Sequence, residues 1–134
     1  MANEDRMREK YLQFQTIQQQ IEQITHHVEL LNQKNIELEI SIDAIKGLEN
    51  IEKDNEVLAP IANGIFLKAE LKDNKNFIVN VGADVTVEKS SSEVIEILEQ
   101  QKKEITENIM EAEKVFNQLQ EQAMIIYKEV EASQ

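Results

Sequence analysis

From Asn3 to Ile45 no glycine or proline interrupts the chain, and the apolar residues fall on a heptad. With position a at Met7, Phe14, Ile21, Val28, Asn35 and Ile42, position d takes Ile17, Ile24, Leu31, Leu38 and Ile45. A 3.5-residue repeat held over about five heptads is a coiled-coil seam rather than the broader stripe of a helix lying on a globule. At about 1.5 Å per residue this arm predicts a rod of about 65 Å. Gly47 is placed to end the helix, and the polar run from Asn50 to Asn55 leads away from it.

A second seam begins after Ser90-Ser91-Ser92-Glu93, which offers helix N-caps with an acid in the first turn. From there to Ser133, Ile95, Lys102, Ile109, Phe116, Ala123 and Val130 occupy a, while Leu98, Ile105, Ala112, Leu119 and Ile126 occupy d. Two arms of matched length predict an antiparallel pair in which a faces d. With partner numbers adding to about 140, Ile17 meets Ala123, Ile24 meets Phe116 and Val28 meets Ala112, large against small as interdigitated packing wants. A slip of one heptad also keeps a facing d, so the pattern alone leaves the register open. Asn35, the polar a residue of the first arm, reads as a selector of register or partner that costs some stability.

Between the arms the period changes to two. Four short runs alternate: Val57 to Ile61, Ile65 to Leu71, Phe77 to Val81, and Val85 to Lys89. Asn63-Gly64 suits a type I′ turn between the first two, and Gly82-Ala83 a type II′ turn between the last two. Lys72 to Asn76 is a polar connector, so the middle reads as two β-hairpins in series. Pro60 cannot donate to a ladder and puts its strand at an edge or near its end. Isolated hairpins are marginal in water and open edges invite pairing, so these should pack on copies or relatives of themselves. Val57, Ile65, Leu67, Phe77, Val79, Val81, Val85 and Val87 are the residues expected to carry that assembly. The fold class is mainly α with a small β module. Its segments are an N-terminal coiled-coil helix over 1–48, a double hairpin over 49–89 and a C-terminal coiled-coil helix over 90–134, forming one domain overall.

Some apolar residues fall outside the seams. Ile36, Ile40, Val94 and Ile97 are placed to pack against the β module, whereas Leu30 and Met110 have no assigned role. The densest group lies at the far end: Tyr11 and Leu12 on one arm, and Met124-Ile125-Ile126-Tyr127 on the other. Of that second run only Ile126 sits in the seam. Consecutive apolar residues exposed at an end are an error of patterning unless something binds there. Met suits a surface that accepts many shapes. The bland alternative is irregular packing of the two ends on each other or on a sister chain.

Chemistry of other kinds is absent from the sequence. The net charge is −12, and every third of the chain is acidic, which argues against a phosphate backbone as partner. There is no cysteine, hence no disulfide or thiolate–metal site, as suits a reducing cytoplasm. The charged start has no apolar core of a signal peptide, and no stretch approaches a membrane span. His26 and His27 are adjacent on the outer face and cannot converge on one ligand. Asp73-Asn74 lacks the spacing and closing Glu of a calcium loop and reads as a turn. No glycine-rich phosphate loop or nucleophile–base set is present, so neither catalysis nor a cofactor is expected.

The order arm, double hairpin, arm resembles that of prefoldin subunits, and of the archaeal alpha class in particular. Val57-Leu58-Ala59-Pro60-Ile61-Ala62-Asn63-Gly64-Ile65-Phe66-Leu67-Lys68-Ala69 and Val79 to Lys89 carry the resemblance. The resemblance implies a hexamer of two alpha and four beta subunits, the second alpha subunit included, whose hairpins close into β-barrels. It also implies a cytoplasmic, ATP-independent chaperone that holds non-native client proteins at the arm tips and passes them to a group II chaperonin. By region, the client contacts would be Tyr11, Leu12, Phe14, Met124, Ile125 and Tyr127. Two other readings of the residues remain: a related structural subunit polymerising through its hairpins into filaments, and a coiled-coil scaffold with one specific partner.

Overall fold

The computed structural model describes residues 2–132; Ser133, expected to end the second arm, lies outside the described residues. The elements run α1 (Ala2–Leu48), β1 (Glu56–Ala62), β2 (Ile65–Glu70), β3 (Asn76–Gly82), β4 (Val85–Ser90) and α2 (Ser91–Ala132). They form two compact units, one joining residues up to Asn35 with those from Glu104 onward, the other spanning Ile36–Lys103.

In the first unit α1 and α2 run antiparallel. Lys10 pairs with Glu129 at 2.8 Å, the rings of Phe14 and Tyr127 lie 6.4 Å apart, and Asn35 reaches Thr106 at 3.2 Å. Ile17, Leu119 and Ala123 form the buried centre, with Phe14, Ile21, Ile24 and Ile126 packed against it. The register is the one with partner numbers adding to about 140, which resolves the ambiguity of the heptad. Every a and d position from Met7 to Ile45 and from Ile95 to Val130 is buried or half-buried.

In the second unit the same register continues, with Lys102 bonded to Glu39. Lys102 holds an a position by keeping its stem along the seam and its ammonium at the rim, where Glu39 meets it. That hydrogen bond lowers the Glu39 carboxyl and raises the Lys102 ammonium from their usual ranges. Ile42 is the most enclosed side chain, at 2% exposure, and burial of such a residue contributes about 1.5–3 kcal/mol.

Helix α1 passes through Gly47 and stops at Leu48, so the glycine does not act as the left-handed cap expected of it. The stop comes from across the chain instead. Asn74 Nδ2 donates to the carbonyl of Leu48 (3.2 Å), the last helical residue, and to those of Glu49 (3.4 Å) and Ile51 (2.7 Å) in the segment that follows. Asn74 is presented by a tight turn in which Asp73 Oδ1 accepts from the amides of Lys75 (2.8 Å) and Asn76 (3.2 Å). At the start of α2, Ser90 caps the helix: Glu93 N donates to Ser90 Oγ, and the hydroxyl in turn donates to Glu93 Oε1.

The β module consists of two separate antiparallel hairpins, β1–β2 and β3–β4. Their strands coincide at an offset of twenty residues, from Glu56 to Asn76 and from Ile65 to Val85, and each carries an irregularity at the same place, Pro60/Ala62 and Asn80/Gly82. Both turns differ from the expected types. Ala62 pairs with Ile65 around Asn63-Gly64, but only Gly64 takes a positive φ (76°), whereas a type I′ turn needs two. In the second hairpin Gly82 pairs with Val85, so the loop is Ala83-Asp84, one residue later than expected. Ala83 (φ 49°) and Asp84 (φ 61°) give it the backbone of a type I′ turn. Asn80 shifts the loop: its Oδ1 accepts from Gly82 N at 2.9 Å and stabilises the bulge.

Candidate functional site

Among the described residues, exposed apolar side chains are densest on two surfaces. The first is the hairpin pair. Directly paired residues share a face, so Val57, Ala59, Leu67 and Ala69 line one face of β1–β2, and Phe77, Val79 and Val87 the matching face of β3–β4. Near the helices these faces are half-covered, at Val57, Ala69, Phe77 and Val79. Toward the turns they open: Ile65, Leu67, Val81, Val85 and Val87 are exposed. Sequence reasoning missed the opposite faces. Leu58 and Phe66, beside Pro60, are exposed on the back of the first hairpin, and Ile78 on the back of the second is 75% exposed. The signal was available, since β1 and β2 are apolar at consecutive positions and not only at alternate ones. Each hairpin therefore lacks the covering layer that a two-stranded sheet needs.

Ile36 and Ile40 do not pack against this module as expected; they are 61% and 63% exposed. They lie at b and f of the heptad, which faces outward while the seam points inward. Val94 and Ile97 are half-buried.

The second surface lies where the N-terminal part of α1 runs beside the C-terminal part of α2. Tyr11, Leu12, Met124, Ile125 and Tyr127 are each between 55 and 58% exposed. Phe14 differs from these: it is half-buried, packs on the Ile17–Leu119–Ala123 centre and holds the Tyr127 ring at an interplanar angle of 41°. Phe14 thus supports the patch while contributing less surface to it. Two grooves flank the buried seam. One, about 500 Å³, is lined by Leu12, Gln13, Thr16, Ile17, Gln122, Ile125 and Ile126. The other, about 450 Å³, is lined by Phe14, Gln18, Ile21, Gln120, Ala123, Met124 and Tyr127. The two share no residue. Gln13, Thr16, Gln18, Gln120 and Gln122 were not foreseen here, although the absence of charge between Tyr11 and Ile21 marks the place.

Among the described residues no cluster of His, Asp or Glu could hold a metal ion, and no helix is long and apolar enough to cross a membrane.

An antiparallel helical arm with an exposed apolar end, joined in sequence to two hairpins that lack their covering layer, defines a class of protein: the coiled-coil and hairpin subunit. The family follows from sequence. The chain matches the family model for the prefoldin subunit over residues 17–134 and belongs to that family. It is 38% identical over 99 residues to prefoldin subunit alpha 1 of Thermococcus kodakarensis, covering 74% of this chain and 68% of that one. It is 34% identical over 122 residues to prefoldin subunit alpha of Pyrococcus horikoshii, covering 90% and 82%. The fold is also that of a filamentous PFD from Methanocaldococcus jannaschii solved by cryo-electron microscopy, with a TM-score of 0.77 over 86% of this chain and 95% of the other at 18% identity. Prefoldin subunits are components of a chaperone and not enzymes.

Proposed function

We propose that this chain is the alpha-type subunit of a cytoplasmic, ATP-independent holdase. Two copies assemble with four beta-type subunits, their hairpins completing joined β-barrels. The arm ends hold non-native proteins, which are passed to a group II chaperonin. The observation that carries this reading is the exposed group Tyr11, Leu12, Met124, Ile125 and Tyr127, with Phe14 beneath it. Several weak apolar contacts acting on one flexible chain gain by effective concentration while each remains easily released. Holding by mass action on the unfolded state needs no nucleotide. The exposed Ile65, Leu67, Val81, Val85 and Val87, continuous with the half-covered Val57, Phe77 and Val79, support the assembly half of the proposal, since exposed apolar patches of this kind mark interaction sites.

The test is suppression of aggregation of several unrelated denatured proteins by the assembled complex. Replacing Leu12, Met124 and Ile125 together by Ser should weaken suppression while the mass of the complex with its beta-type partner stays that of a finite hexamer. Undiminished suppression by the triple variant removes the arm end from the mechanism, and open polymers in place of a finite particle remove the hexamer.

A further inference from the structure

The chain is 30% charged, yet from Tyr11 to Ile21 it carries no charged residue. On the facing helix Glu121 alone interrupts the neutral stretch from Val115 to Tyr127, and it sits at an outward f position. This neutral strip is where both grooves lie, and each has one Gln from each helix on its banks: Gln13 and Gln122 on one side, Gln18 and Gln120 on the other. Successive helix residues advance by about 100°, which puts the two groove linings on nearly opposite flanks of each helix. The buried Ile17, Leu119 and Ala123 lie between them.

Building on the reading of this end as client-binding, we infer that each arm end holds two segments of non-native polypeptide, one per groove. Each segment is extended, apolar and uncharged, its side chains on the groove floor and its backbone bonded to the glutamine amides. The chemistry of the banks selects this occupant. A carboxamide both donates and accepts, so a pair of them can bond backbone N–H and C=O groups of an extended stretch at two points whatever its side chains. A bound helix already satisfies those groups internally and would leave the amides idle. Charge complementarity points the same way. A neutral groove offers a charged segment no counter-ion, and on a surface of net charge −12 an acidic segment is repelled besides. Binding is then blind to client sequence and nearly independent of salt, because no ion pair forms.

The probe is a fluorescein-labelled, end-capped dodecapeptide of Leu, Ala, Ser and Gly, compared with a version carrying two Glu, using the full-length chain. The neutral peptide should bind at two per chain, with a Kd changing by less than about twofold between about 50 and 500 mM NaCl. The Glu version should bind about fivefold more weakly at low salt. Gln13→Glu with Gln122→Glu should leave one site, and so should Gln18→Glu with Gln120→Glu; Glu matches Gln in helix propensity, so the arm persists. Gln13→Lys with Gln122→Lys should make the Glu version the better ligand of that groove, an inversion that damage to the fold cannot mimic. Stoichiometry untouched by these changes, a steep salt dependence, or preference for a peptide locked as a helix each overturns the inference. If the triple Ser variant still loses suppression in that case, the proposed function stands without the two-groove mode. A wild-type complex that suppresses no aggregation removes both.

Discussion

Asn35 of α1 donates its side-chain amide to the hydroxyl of Thr106 on α2, at 3.2 Å, in a seam whose other a and d positions on α1 from Phe14 to Ile45 are apolar. Its other side-chain atom, Oδ1, is buried and accepts no hydrogen bond. The layer is therefore half satisfied: one bond specifies which turn of α2 lies beside Asn35, and one desolvated acceptor costs about 1–3 kcal/mol. Replacing Asn35 by Ile removes that cost and adds apolar contact with the seam. Urea unfolding of the full chain should show a gain of about 1–2 kcal/mol, together with looser register. Disulfide trapping between cysteines placed at Ile24 and Phe116 reads the register, and the variant should also trap pairs one heptad away.

Asn74 predicts an effect in the opposite direction. Its amide serves the last carbonyl of α1 and two carbonyls just beyond it, so Asn74→Ala should cost about 1–2 kcal/mol in thermal or urea unfolding. Asn74→Asp should cost more, because a carboxylate turned toward carbonyl oxygens repels where the amide donated. A loss no larger than that of an exposed Asn→Ala change elsewhere on the surface would remove the cap from the account.

These two asparagines mark what could be read from the chain and what could not. The seam was legible because each a and d residue is chosen by the face it must bury, and burial follows that pattern at every position. Asn35 stood out as its polar break for the same reason. Asn74 read only as part of a polar connector, because its partners are more than twenty positions away and no local rule brings them together. The turns failed for a related reason. Gly82 drew attention as a turn residue, but the side chain of Asn80 holds it in a bulge and moves the loop onto Ala83-Asp84. At the arm end, the exposed apolar residues were legible as departures from the heptad. The glutamine banks were not, since Gln on an outer helix position is ordinary until two helices bring such residues to the sides of one groove.

Ala83 holds φ at 49°, a region where a Cβ costs roughly 1–2 kcal/mol. Ala83→Asn with Asp84→Gly supplies the pair that a type I′ turn favours and should raise the stability of the assembled complex by about 1 kcal/mol. Ala83→Val, branched at Cβ, should lower it. Both are read as shifts in the urea midpoint. Equal midpoints for all three would show that the loop relaxes freely and stores no strain.

Asp73 supplies a pH dependence. Backbone amide bonding from Lys75 comes first in lowering its carboxyl below the usual value of 3.8, followed by the side chain of Asn76. A carboxyl whose folded value is depressed binds protons more readily in the unfolded chain. Its contribution is therefore complete above the unfolded value and is lost as the pH falls through the folded one. Asp73→Ala should accordingly be less stable than the parent chain at neutral pH, with the difference shrinking as the solution is acidified below pH 3.8. The N–H groups of Ile51 and Asn50 bond back to the last helical turn at 3.1 and 3.2 Å. Because the turn at Asp73 presents Asn74 to the end of α1, the same acidification should lower the protection of these two amides, relative to their unfolded rates at each pH. Hydrogen exchange resolved by residue, across that pH range, tests both statements, and a difference between parent and variant that is constant with pH would remove the carboxylate from the turn's stability.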